Sequence, residues 1–137
     1  MKFVYSKEVL KHKNSFKPIL ALESTILAHG MPYPDNFNFA KRAESLCREN
    51  GVAPATIAII NGVVHIGLEE DELILITKAK KVKKVSQREI SIAIIKKWTG
   101  ATTVSATIKL SSLAKIPVFA TGGIGGVHRE AEKSFDI

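Results

Sequence analysis

The chain has 137 residues, 45% of them hydrophobic and 24% charged, enough for one soluble domain with one core and too balanced for a disordered chain. Its single cysteine, Cys47, excludes an internal disulfide framework and fits a reducing, cytoplasmic setting. A net charge of +7 admits anionic partners, but with only 7% aromatic residues and no helix-turn-helix, RNA-recognition or zinc-finger spacing, a nucleic-acid polymer is not expected.

Residues 1–16 are polar and basic, with a weak helical pattern in "SKEVLKHK", and read as a lead-in helix or arm. They mix Lys, Glu, His and Asn with isolated apolar residues, so neither a signal peptide nor a membrane span is expected. "KPILALEST" (17–25) is a short apolar run rich in branched residues, the pattern of a buried strand that ends in Glu23, Ser24 and Thr25. "HGMPYPD" is a turn-rich loop, and Asp35 is a fair N-cap for a helix that Asn50-Gly51 closes. In "ATIAIINGVVHIGL" (55–68) two β-rich runs flank Asn61-Gly62, a strong hairpin signal because both residues tolerate positive φ.

The stretch 69–80 begins acidic and ends basic, as a helix macrodipole prefers. It overlaps the densest basic run, "KAKKVKK" (78–84), which reads as a solvated edge or an anchor for a small anionic substrate. A helix over 88–98 follows, then a short strand end, a further helix, and the buried strand in "PVFATGG". Strands alternate with helices throughout, so the class is α/β with a sheet that is at least partly parallel, in a single domain over 1–137.

In such folds ligands gather where strands end and helices begin. The loop "ATGGIGGVHR" has four glycines among residues 122–126, without the GxGxxG spacing of a dinucleotide site or a Walker lysine. It offers a bare backbone to an oxyanion, with His128 and Arg129 as cationic neighbours. Glu23, at the end of its strand, is either a partner for a buried cation or a general acid. Lys83 and Lys84 both precede a helix start, and spacing alone does not separate them as an anion anchor. His29, His65 and His128 show no paired spacing and Cys47 has no partner cysteine, so a zinc site is not expected. Asp136 reads as a terminal carboxylate.

Five segments together resemble one family, the pseudouridine-5'-phosphate glycosidases, or indigoidine synthase A-like proteins. They are "ALESTILAHGMPYPDN" (21–36), "GVAPATIAIINGVVHIGL" (51–68), "KKVSQRE" (83–89), "TGATTVSATI" (99–108) and "FATGGIGGVHREAEKSFDI" (119–137). The resemblance implies an α/β/α sandwich with a mostly parallel mixed sheet. It also implies an enzyme of nucleotide breakdown, manganese-dependent and homotrimeric, that reversibly converts pseudouridine 5'-phosphate to uracil and ribose 5-phosphate. Its chemistry joins the opened ribose to a lysine as a Schiff base and uses a general acid. By position, Glu23 matches the acid, Lys84 and Val104 match substrate contacts, and Asp136 matches the metal-binding aspartate; Thr121, Gly122, Gly123 and His128 fall in the loop expected to line the sugar-phosphate pocket. Two departures stand in "KVSQRE", where the family usually has "KVSRRD": Gln87 lacks a cation and Glu89 extends a carboxylate by one methylene. The family continues past "FDI" with the Schiff-base lysine. The chain is therefore expected to resemble an N-terminal half that needs a complementary polypeptide, the alternative being a non-catalytic remnant or sugar-phosphate-binding fragment.

Overall fold

The computed structural model describes residues 1–125, 129, 130 and 133. In chain order its elements are β1 (Phe3–Tyr5), α1 (Lys7–Asn14), β2 (Ile19–Leu22), a π-helical turn (Ile26–Gly30), α2 (Asp35–Glu49), β3 (Ala53–Ile60) and β4 (Val63–Ile66). There follow α3 (Glu70–Lys78), β5 (Lys83–Val85), a 3₁₀ turn (Gln87–Glu89), α4 (Ile90–Ile95), β6 (Gly100–Thr102), α5 (Val104–Leu113) and β7 (Phe119–Ala120).

The sheet is organised by β3, whose eight residues are all buried. Alternation sends Ala53, Ala55, Ile57 and Ile59 to one face, where Val9 of α1, Ile90 and Ala93 of α4 and Leu110 of α5 complete a core. Ala58 and Ile60 face the other way, onto Ala40 of α2 and Leu73 and Ile76 of α3. Three layers result, with α1, α4 and α5 on one side of the sheet and α2 and α3 on the other. This is the expected α/β/α sandwich. Pairing is parallel for β1 with β4, β2 with β3, β2 with β7 and β5 with β6. It is antiparallel for β3 with β4 and for β3 with β6, so the sheet is mixed and mostly parallel.

The Asn61-Gly62 hairpin forms as its chemistry predicts, with φ of 49° and 79°. A Cβ at Gly62 would also come within 2.6 Å of the Ile94 carbonyl, so both sterics and packing require glycine there. The lead-in segment is more than a helix or arm, because Phe3–Tyr5 adds a strand beside β4. "KKV" is likewise a short strand rather than a plain lead into a helix. The residues after Thr25 coil into a π turn before the expected loop; Asn36, buried in α2, clamps that turn by donating from Nδ2 to the carbonyls of Leu27 (2.7 Å) and Thr77 (2.8 Å). On the same helix face, buried Glu44 accepts from Thr56 Oγ1 at 3.1 Å and pairs with Arg48, which also reaches Glu8 of α1.

The edge of β3 opposite β4 is shared by two strands: β2 pairs with its first half, through Ala53–Thr56, and β6 with its second, through Ala58 and Ile59. Because β2 runs parallel to β3 and β6 antiparallel, their C-terminal ends meet head to head. The sheet forks at this point.

Candidate active site

At the fork the two strand ends are tied by buried hydroxyls. Ser24 Oγ donates to the Ile57 carbonyl (2.6 Å) and accepts from Thr102 N–H (2.8 Å). Thr102 Oγ1 donates to the same Ile57 carbonyl (2.7 Å) and lies 2.9 Å from Thr107 Oγ1 in α5. Ser24, Thr102 and Thr107 are fully buried, so each unmet polar group would carry a desolvation cost; here the groups satisfy one another. The network fixes the backbone on both sides of the fork.

Above it opens a cleft of about 450 Å³, at the topological switch where α/β folds place ligands. Glu23 projects from the end of β2, Thr103 and Val104 from the end of β6 and the start of α5, and Lys84 from β5; Gly123 and Ile124 approach from the loop after β7. The register explains the meeting. Leu22 pairs with Ala120, so the next residues, Glu23 and Thr121, are neighbours, and Thr121 Oγ1 donates to Glu23 Oε1 at 2.5 Å. On the other arm Lys84 pairs with Ala101 and Val85 with Thr102, which brings Lys84 up beside the N-terminus of α5. That helix end carries partial positive charge and N–H groups suited to an oxyanion.

The "KVSQRE" segment is held by a capping box. Ser86 N–H donates to Glu89 Oε2 at 2.9 Å and Ser86 Oγ donates to the same oxygen. Burial opposes the charge on Glu89, but these hydrogen bonds and Arg88 hold its carboxyl below the usual range. The longer side chain at 89 thus closes the turn that follows Lys84, and Gln87 N–H reaches across to Ser105 Oγ at 3.2 Å.

Of the residues expected from sequence, Glu23, Lys84, Val104 and Gly123 line the one cleft. Thr121 is turned to Glu23, and Gly122 lines an adjoining groove of about 220 Å³ with Leu22, Phe39 and Ala43. An added Cβ at Gly122 or Gly123 would meet nothing within 4 Å, so the bare backbone leaves space over the cleft instead of packing on a neighbour. His128 and Asp136 lie outside the described residues. Sequence reasoning missed Thr25, Ile26, Ser105 and Ile108 as lining residues, and saw His29, another lining residue, only as a loop histidine. Thr25 carries the one missed cue with chemical content: its Oγ1 is buried and has no hydrogen-bond partner among the described residues, a state that costs about 1–3 kcal/mol unless a ligand or water meets it.

A manganese site is not made by the described residues alone, since among them no three His, Cys, Asp or Glu side chains gather.

The family model of the indigoidine synthase A like proteins matches residues 8–137. The chain belongs to that family. It is 56% identical over 133 residues to pseudouridine-5'-phosphate glycosidase 1 of Rhizobium johnstonii, covering 97% of this chain and 42% of the relative. To the pseudouridine-5'-phosphate glycosidase of Mycoplasmopsis agalactiae it is 54% identical, over 100% of this chain and 46% of the relative. Among solved structures, an indigoidine synthase A-like protein of Thermotoga maritima superposes with a TM-score of 0.82 at 36% identity, over 92% of this chain and 41% of the other. The prealnumycin C-glycosynthase AlnA, solved in complex with ribulose 5-phosphate, gives 0.82 at 34% identity, over 98% and 43%. The chain therefore spans less than half the length of the family members it matches.

Proposed function

We propose that this chain carries the acid-bearing, phosphate-binding part of a pseudouridine-5'-phosphate glycosidase and acts together with the segments its relatives have beyond the matched length. The observation that carries the reading is the convergence on one cleft of a carboxyl held by a neighbouring hydroxyl, a lysine, and the positive end of α5. Relatives more than half identical bear that enzyme name, and a structural neighbour was solved with a pentose phosphate.

In this reading Lys84 and the first turn of α5 bind the 5'-phosphate, and Gly123 admits it without a side chain in the way. The carbon-carbon bond between ribose and uracil breaks with its electron pair passing to the uracil ring, which takes up a proton. Glu23 is the group placed to hand a proton to sugar or base, and it recovers one in the reverse direction. The Schiff-base lysine belongs to the family's segments beyond the matched length, and water releases ribose 5-phosphate from it. A bound manganese ion would supply Lewis-acid stabilisation of an oxygen; Asp136 is the ligand this chain offers, and the roles of Glu23 and Lys84 do not depend on it. A homotrimer in the cytoplasm belongs to the same proposal. Among the described residues no helix is long and apolar enough to cross a membrane.

The test is uracil release from pseudouridine 5'-phosphate with Mn²⁺, measured for the chain alone and with the complementary polypeptide. Release only in the mixture, lost on Glu23→Gln, supports the proposal. Release indifferent to Glu23→Gln overturns it, and tight binding of ribose 5-phosphate without release would leave a sugar-phosphate-binding fragment.

A further inference from the structure

Glu23 is held from two directions. Its backbone adjoins Ser24, whose hydroxyl is locked into the buried network at the fork. Its side chain is met by Thr121, whose Oγ1 donates to Glu23 Oε1 at 2.5 Å, the spacing of a charge-assisted bond from a hydroxyl to a carboxylate. The strands dictate this contact. β2 and β7 run parallel with Leu22 paired to Ala120, so the residues that follow leave the sheet side by side, one strand spacing of about 4.8 Å apart.

A threonine hydroxyl has a single proton to give. Besides Glu23, Thr121 Oγ1 has the Gly123 carbonyl at 3.3 Å and the Gly123 N–H at 3.5 Å. The much shorter contact commits the proton to Glu23 and leaves the hydroxyl oxygen to accept weakly from the glycine loop. The two cavities indicate the side from which the carboxyl is held. Glu23 lines both the cleft and the adjoining groove, whereas Thr121 lines only the groove.

We infer that Thr121 is a positioning residue that gives the two oxygens of Glu23 separate tasks: Oε1 accepts from the threonine hydroxyl, and Oε2 carries the proton exchanged in the cleft. This role rests on the acid function proposed for Glu23. A carboxylate accepts at either oxygen, and a carboxylic acid still accepts at its carbonyl oxygen while the other holds the proton. The hydroxyl therefore stays in place when Glu23 gives up its proton and when it recovers one. Without that bond the flexible glutamate side chain turns either oxygen to the substrate, and part of its population is misaligned for transfer. Among the described residues, the other titratable side chains lining the cleft are His29 and Lys84, and the groove adds none. Thr121 is neutral, so it orients the acid without competing for its proton.

The experiment compares Thr121→Val, which keeps nearly the same shape and removes the hydroxyl, with Thr121→Ser, which keeps the hydroxyl. Circular dichroism checks that both variants retain the fold. In the uracil-release assay of the mixture, Thr121→Val is expected to lower kcat by about 10–10²-fold, the scale on which a misplaced catalytic group costs rate. KM stays unchanged, as for an interaction that serves only the transition state, and Thr121→Ser restores most of the loss. In the Glu23→Gln background Thr121→Val adds nothing, because a residue that acts through Glu23 has no task once the exchangeable proton is gone. A second measurement needs no turnover. In nuclear magnetic resonance of the 137-residue chain with isotope-labelled glutamate, the carboxyl carbon of Glu23 shifts in Thr121→Val and returns towards wild type in Thr121→Ser. A Thr121→Val rate equal to wild type, or a Glu23 resonance that this variant leaves unmoved, overturns the role of Thr121 and leaves Glu23 as the acid. So does a serine variant as impaired as the valine one, or a further loss in the Glu23→Gln background. Release indifferent to Glu23→Gln defeats the acid reading itself, and the role of Thr121 with it.

Discussion

The two arms of the sheet beyond β3 end in opposite ways. At the fork, the strand ends of β2 and β6 are buried and their hydroxyls converge on the Ile57 carbonyl. One strand further out, β7 presents an uncharged edge with open grooves on either side. A closed polar network fixes the backbone next to Glu23, while the margin at β7 carries no charge from Ile116 to Ile124. The contrast teaches that buried hydroxyls fix the fork, whereas the margin at β7 is left to exposed apolar surface.

The comparison breaks most sharply at Glu23. In the complemented assembly Glu23→Gln is expected to lower uracil release by about 10²–10⁴, the range for loss of a positioned general acid, while the thermal midpoint stays within a few degrees of wild type. A fall in stability of matching severity would mean that Glu23 belongs to the fold.

Next in size is the fork itself. Ser24→Ala leaves the buried Thr102 N–H without its acceptor and is expected to cost about 1–3 kcal/mol, read as a lower urea midpoint with an unchanged slope. Truncating exposed Val118 to Ala should change the stability read from that transition by less than about 0.5 kcal/mol. Equal losses at the two places would erase the distinction drawn between them.

Lys84→Ala sharpens the chemical side. Its expected effect is roughly tenfold weaker binding of ribose 5-phosphate, about 1.4 kcal/mol, with a shallower dependence on salt, measured by calorimetry at two ionic strengths. Unaltered affinity would move the phosphate elsewhere.

The smallest effect is at Glu44, away from the cleft. Burial is the largest influence on its carboxyl and raises its pKa above the ordinary value, against the opposing pull of Arg48 and Thr56. The folded chain therefore holds this proton to higher pH than the unfolded chain does. The associated stabilisation is fully present below the ordinary glutamate range and disappears as pH rises through the raised folded value. Wild type should lose stability relative to Glu44→Gln over that window, as paired urea titrations across pH would record; parallel curves would refute the assignment.

Much of this was legible in the chain. The apolar period of "ATIAIING" gives β3 and its hairpin, and the strand-end position of Glu23 puts it at a loop edge without any structure. Three things were not legible, each for a physical reason. β1 and β5 are three residues long, and β5 carries two lysines, so their pairing comes from the sheet and leaves almost no periodic trace. The fork depends on two strands sharing one edge of a third, a long-range arrangement that no local pattern encodes. Thr25 is a small hydroxyl among many, and its unmet oxygen is visible only once its neighbours are in place. The family resemblance supplied Lys84 and Val104, which spacing alone had left unresolved or unnoticed.

The head-to-head meeting at Ile57 also bears on how such a protein can change over time. Two strands that approach a common carbonyl from opposite directions set each other's length: one residue added to the end of either would collide with the other. Insertions and deletions should therefore be rejected where the two ends abut, at Leu22–Thr25 and Ala101–Thr103, and tolerated in connections away from the fork such as the one between α3 and β5. New chemistry can enter such a lineage by loop replacement, with the distance between the two arms held constant from one descendant to the next.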